Sequence, residues 1–230
     1  MSLSQRSTAE EAMDAPDLPA ADYRAVLADL ATVNTVTLAR RPTLAFLDRA
    51  IGQRTSFRLL DVGYGAGDML RAIARWADTR GIAAELVGID LNPNSAAAAR
   101  AATPPEMRID YRTGDYADLG GQGFDIVASS LVAHHMTPPQ LRAFLRFMEQ
   151  EATAGWIVND LHRHAFAYAG YPLLAALLRW HPIVRADGRL SIARAFRPAE
   201  WTAILADAGI GPDARVVRRF PFRLCVERLR

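Results

Sequence analysis

Four of the five histidines in this chain fall into two tight groups, His134 with His135 and His162 with His164. Imidazole titrates near neutrality, so these groups suit the removal of a proton from an acceptor. Asp160, just ahead of the second group, is a carboxylate that could orient an imidazole. No carboxylate-rich spacing accompanies them, and no metal site is expected. A second constellation lies upstream in "LLDVGYGAGD" (59–68), with Gly63, Gly65 and Gly67 behind Asp61 and an apolar run. Glycines so spaced bring backbone close to a ligand. Alone, the loop serves packing as often as binding.

The elements around these residues alternate. "FRLLDV" (57–62), "AELVGID" (84–90), "MRIDYRTGD", "FDIVASS" (124–130) and "GWIVND" (155–160) read as strands. Between them lie helical stretches. One carries Leu70, Ile73 and Trp76 as far as Gly81, and an alanine-rich one is ended by Pro104 and Pro105. Another opens at "TPPQ" (137–140), where Thr137 caps, Pro138 takes the first position and Gln140 completes a capping box. The alternation predicts a parallel sheet covered on both faces. After a helix from Pro198 to Ala208, "ARVVRRF" and "FRLCVER" lie too close in sequence for a parallel crossover, so they pair antiparallel. Upstream, Tyr23, Leu27, Leu30 and Val33 mark a helix within 19–36, and a second begins at Pro42. The polar first dozen residues read as disordered, and "MSL" as a cloning remnant.

Composition narrows the chemistry. The 230 residues are half hydrophobic, enough for one good core. All 27 basic residues are arginine, against 25 acidic ones, and they are scattered. No basic stripe points to nucleic acid. Without lysine there is no Schiff-base chemistry and no P-loop lysine. A lone cysteine, Cys225, excludes an intrachain disulfide and a CxxC site. No apolar run is long enough to span a bilayer and no signal-peptide core opens the chain, so a cytoplasmic location is expected.

The loop's ligand follows from what fits. In a dinucleotide fingerprint Gly63 and Gly65 would be followed by a glycine at position 68, where this chain has Asp68. A carboxylate at the mouth of a helix repels a pyrophosphate. S-adenosylmethionine carries no phosphate, and its cationic groups tolerate carboxylates. Asp90 ends the second strand, where it can accept both ribose hydroxyls. "GDYADL", with Asp115 and Tyr116, follows the third strand, and "FDIVASSLVAHHM" closes the fourth. All three lie at carboxyl ends of strands, where open α/β sheets bind ligands.

On these motifs the chain resembles the class I S-adenosylmethionine-dependent methyltransferases over roughly residues 55–230. "NDLHRH" and "RAFRPAEW" resemble a bacterial subgroup tied to aromatic or polyketide products of secondary metabolism; other likenesses are to quinone-biosynthesis enzymes. The resemblance implies a Rossmann-like α/β fold with a seven-stranded, mostly parallel sheet, a C-terminal antiparallel hairpin and helices on both faces. It divides the chain into an N-terminal helical cap (1–54) and a methyltransferase domain (55–230) with a lid-like helical insertion at about 161–195. It also implies that Asp61, Gly63, Tyr64, Gly65 and Gly67 approach the methionine part of the cofactor. Asp90 would take the ribose, Leu91, Asp115 and Tyr116 the adenine, and Ser129 and Ser130 would lie beneath the methionine. S-adenosylhomocysteine would be the product.

The apolar, aromatic segment 165–184 predicts an acceptor wall containing Tyr168, Tyr171 and Leu174, with a homodimer face as the competing reading. The expected activity is methylation of an apolar aromatic or lipid-like small molecule, on oxygen ahead of carbon. An RNA methyltransferase and a non-catalytic cofactor-binding module are the alternatives.

Overall fold

The computed structural model describes residues 3–15 and 17–230. The first two residues of "MSL" lie outside that range. Seven strands form one sheet in the order β3-β2-β1-β4-β5-β7-β6: β1 (Ser56–Val62), β2 (Ala83–Asp90), β3 (Ile109–Thr113), β4 (Phe124–Ser130), β5 (Ala152–Leu161), β6 (Arg215–Arg219) and β7 (Arg223–Leu229). The first five run parallel. β7 runs antiparallel to both β5 and β6, so the expected hairpin closes one edge of the sheet.

Eight α-helices accompany the strands among the described residues: α1 (Ala20–Val36), α2 (Arg41–Ile51), α3 (Asp68–Asp78), α4 (Pro93–Ala101), α5 (Pro138–Glu151), α6 (Ala165–Leu177), α7 (Pro182–Arg194) and α8 (Pro198–Ala208). Pleating sends successive β1 side chains to opposite faces. Leu59 packs with Phe46, Ile73 and Ile157 under α2 and α3, while Leu60 joins Val127, Phe144 and Trp156 under α5 and α8. The start of α5 follows its sequence signal, with Gln140 Oε1 accepting the Thr137 N–H at 2.9 Å. β5 begins three residues before the expected 155, because its register against β4 shifts near Phe124 and Ile126 and interrupts the alternation.

A third apolar cluster stands apart from the sheet and joins α1 to α6 and α7 through Val26, Val33, Ala175, Trp180 and Val184. It holds a roof over the carboxyl ends of the strands. The outer face of α6 leaves Leu173 and Leu177 largely in solvent. Among the described residues no helix is long and apolar enough to cross a membrane.

The expectation of disorder at the start is corrected for residues 3–15. The Ser7 N–H donates to the Ala193 carbonyl at 3.0 Å, and Asp187 accepts the N–H groups of Ala12 and Met13. Its charged side chains are engaged as well: Arg6 donates to the His134 and Met136 carbonyls, Asp14 meets His135, and Glu11 stands beside His134, His135 and Arg194.

Candidate active site

The loop between β1 and α3 turns on left-handed glycines. Gly63 (φ +78°) abuts Val132, and Gly67 (φ +71°) abuts the Tyr111 ring; a Cβ at either would collide with those side chains. Gly67 therefore packs the loop on β3 and does not face the adjoining cavity, whereas Asp61, Gly63, Tyr64 and Gly65 line it. Asp90 at the end of β2 braces the loop, its carboxylate accepting from Gly65 N and Asn92 N at 2.9 Å each. Burial holds Asp90 above the ordinary carboxylate range. The same effect, reinforced by Asp68 and Asp90, pushes Asp61 well above it. Asp61 Oδ1 is buried with no hydrogen-bond partner.

Leu91, Tyr116 and Ser130 line the same cavity. Beside the lining, Asp115 caps the turn, its Oδ1 accepting from Ala117 N at 2.9 Å, and the buried Ser129 donates to the Val62 carbonyl at 3.0 Å.

The cavity measures about 660 Å³. It runs from the glycine loop under α1 to the turn at Ala133–His135, walled by Tyr171, Leu174 and Val184 from α6 and α7. Tyr168 is not among the lining residues; the Arg189 guanidinium lies over its ring, 4.3 Å away.

At the far end the sheet assembles a polar cluster in apolar surroundings. Asp160, fully buried at the end of β5, accepts His134 Nδ1 at 2.7 Å, the His134 backbone N–H at 2.8 Å and the Leu161 N–H at 2.7 Å. Burial works to raise its carboxyl, but His134 and these donors outweigh it and hold Asp160 below the usual range. His135 Nδ1 meets Asp14 at 2.8 Å. Burial opposes its charge, yet Asp14 and Glu11 leave its pKa raised. Between the two rings stands Glu11, 3% exposed, with Oε1 3.6 Å from His134 Nε2 and Oε2 3.8 Å from His135 Nε2. Burial raises the Glu11 carboxyl despite these neighbours.

The histidine expectation thus divides. His134, His135 and Asp160 come together at the cavity, but His162 and His164 do not. Those two face a separate pocket with Arg218, Arg219 and Phe220, and burial beside His164 lowers His162. Glu11, Asp14 and Arg194 were missed, since nothing in "AEEAMDAPD" ties it to residues more than a hundred positions away. The one available signal was Met13, an apolar side chain within an acidic run, which now packs against the roof cluster.

Residues 59–154 match the family model described as "Methyltransferase domain". The chain thus carries a methyltransferase domain over those residues. Among solved structures, the chain's fold resembles that of the magnesium protoporphyrin IX methyltransferase of Synechocystis PCC 6803 with bound SAM, with a TM-score of 0.55 at 18% identity over 84% of this chain and 79% of that one. It also resembles human N-acetylserotonin methyltransferase in complex with SAM, with a TM-score of 0.65 at 15% identity over 92% of this chain and 56% of that one. Among curated proteins, trans-aconitate 2-methyltransferase of Mycobacterium tuberculosis is 27% identical over 176 residues, 75% of this chain. That match spans 63% of the relative's own length.

Proposed function

We propose that this methyltransferase transfers a methyl group from S-adenosylmethionine to an oxygen of a mostly apolar small molecule. The observation that carries the reading is one cavity joining the glycine loop and Asp90 to the His134–His135 turn between apolar walls. The donor set fits the cofactor. Asp61, Asp68 and Asp90 all have raised carboxyls, a setting hostile to pyrophosphate and suited to a cationic ligand. Asp61 offers an unpartnered buried oxygen to positive charge. On this reading Asp90 takes the ribose hydroxyls, with Leu91 and Tyr116 beside the adenine.

When bound, S-adenosylmethionine supplies a methyl group already activated by its sulfonium, and positioning provides most of the acceleration. This chain's own task is to seat the acceptor, exclude water and help a hydroxyl ionise. α1 within the 1–54 cap, with the helical insertion at about 161–195, forms the roof and wall. The cluster around His134 and His135 is the place where the acceptor proton leaves. A second reading, with an acidic group on the acceptor, is favoured by Arg223. That guanidinium lines the cavity, is 2% exposed and keeps Nη1 without a partner. Incubation with methyl-labelled S-adenosylmethionine, testing phenols, apolar carboxylic acids and total RNA in parallel, decides among acceptors. Label in RNA alone would overturn the small-molecule reading. A thermal shift with S-adenosylhomocysteine but no transfer to any extract component would favour a non-catalytic module.

A further inference from the structure

We infer that Glu11, His134 and His135 form a binding site for one divalent transition-metal ion, with Zn2+ the best match to two imidazoles and a carboxylate. Each ring turns Nδ1 to a carboxylate, His134 to Asp160 and His135 to Asp14. Both Nε2 atoms are thereby directed at one Glu11 side chain. Histidines that ligate metals are held in this way, by a hydrogen bond from the other ring nitrogen.

Distance separates an ion site from a proton relay. A proton shared between imidazole and carboxylate draws nitrogen and oxygen to about 2.7–2.9 Å. Here the pairs stand at 3.6 and 3.8 Å. Two donors each about 2.1 Å from one ion at a tetrahedral angle would be about 3.4 Å from each other, near the 3.6 Å between His134 Nε2 and Glu11 Oε1. The three ligand atoms lie within 4.8 Å of one another.

Glu11 supplies the independent observation. Its Oε2 is anchored by the Ser191 hydroxyl at 2.9 Å, whereas Oε1 is buried and has no hydrogen-bond partner. Arg194 Nε stands 3.7 Å from Oε1, outside hydrogen-bond range, and its donors go to the carbonyls of Ala9, His134 and His135. The cluster borders the cavity, so three protein ligands leave a position open to an acceptor, as in catalytic rather than structural zinc sites. A divalent charge there would favour the ionised acceptor oxygen; that service rests on the methyl-transfer reading above, while the site itself does not.

The test uses untagged full-length protein stripped with a chelator. Titration with Co2+, followed by visible absorbance, and with Zn2+, followed by calorimetry, should each give one ion per chain. Glu11→Gln keeps the side-chain shape and should weaken Zn2+ binding at least about 100-fold, and Asp14→Asn about 10-fold. His135→Gln, at a partly exposed ring, provides a second ligand deletion if Glu11→Gln folds poorly. Binding of S-adenosylhomocysteine checks that each variant retains its fold. Absence of a stoichiometric ion, or unchanged affinity in the ligand variants, would overturn the site. Stoichiometric, ligand-dependent binding upholds it even if no acceptor is ever methylated, an outcome that would count against the proposed function alone.

Discussion

Replacing Asp160 with asparagine isolates the contribution of one buried carboxylate. Oδ1 receives two donors, His134 Nδ1 and Leu161 N, and Oδ2 receives the His134 backbone N–H. An asparagine oxygen in the Oδ1 position keeps the first two, without charge. Its amide NH2 then faces the His134 N–H, donor against donor. Losing a charge-assisted bond and leaving a buried N–H unpaired costs about 3 kcal/mol. For a chain of this size, about 2–4 °C per kcal/mol makes that a fall of about 6–12 °C in Tm. Calorimetry in a chelating buffer measures it, and Asp160→Leu, which strands all three donors, should fall further. Because the folded carboxyl is depressed, its contribution is complete above the unfolded value. It is lost as pH falls through the folded one, so the gap between wild type and Asp160→Asn should close in acid. A Tm within about 2 °C of wild type at neutral pH would refute the reasoning, as would a leucine variant more stable than the asparagine one.

Other outcomes follow from the two ends of the cavity. Asp90→Ala should weaken S-adenosylmethionine binding by about 1–3 kcal/mol in calorimetry, since the ribose loses a charged acceptor and Gly65 its brace. Raised carboxyls at Asp61, Asp68 and Asp90 retain protons in the empty protein above their ordinary range, and a cationic ligand expels them. Affinity for S-adenosylmethionine should therefore rise with pH through that window, more steeply than for S-adenosylhomocysteine, which lacks the sulfonium charge; equal slopes would count against it. His134→Ala should cut kcat by about 10²- to 10⁴-fold in a methyl-transfer assay, with His162→Ala and His164→Ala near normal. Tyr171→Ala should shift KM among acceptors, whereas Tyr168→Ala, outside the cavity, should not.

The legible half of the molecule is the half governed by local rules. β4 and α8 fall on their expected residues because a short apolar run, a proline start and a glycine stop mark them locally. The same locality made Gly63, Gly65 and Asp90 visible, since a close backbone approach and a strand-end carboxylate leave signatures within ten residues. The acceptor end is different. Glu11 meets His134 across more than a hundred residues, and no spacing rule encodes that contact. His162 and His164 carried the same residue types as His134 and His135, and only the direction of their side chains at the end of β5 separates the two groups. Tyr168 and Tyr171 share one helix but point apart, a distinction that an apolar run with little polar face does not reveal.

The segment at residues 3–15 is fastened to α7 and the histidine turn chiefly by charge: Arg6 on the His134 and Met136 carbonyls, Arg194 on the Ala9 carbonyl, and Asp187 on two backbone N–H groups. Apolar burial contributes little beyond Met13. Because Arg194 and Asp187 are buried, added salt screens these contacts far less than it would exposed ion pairs. The segment should thus stay fastened over the acceptor end at moderate ionic strength, leaving access to that end of the cavity nearly independent of salt.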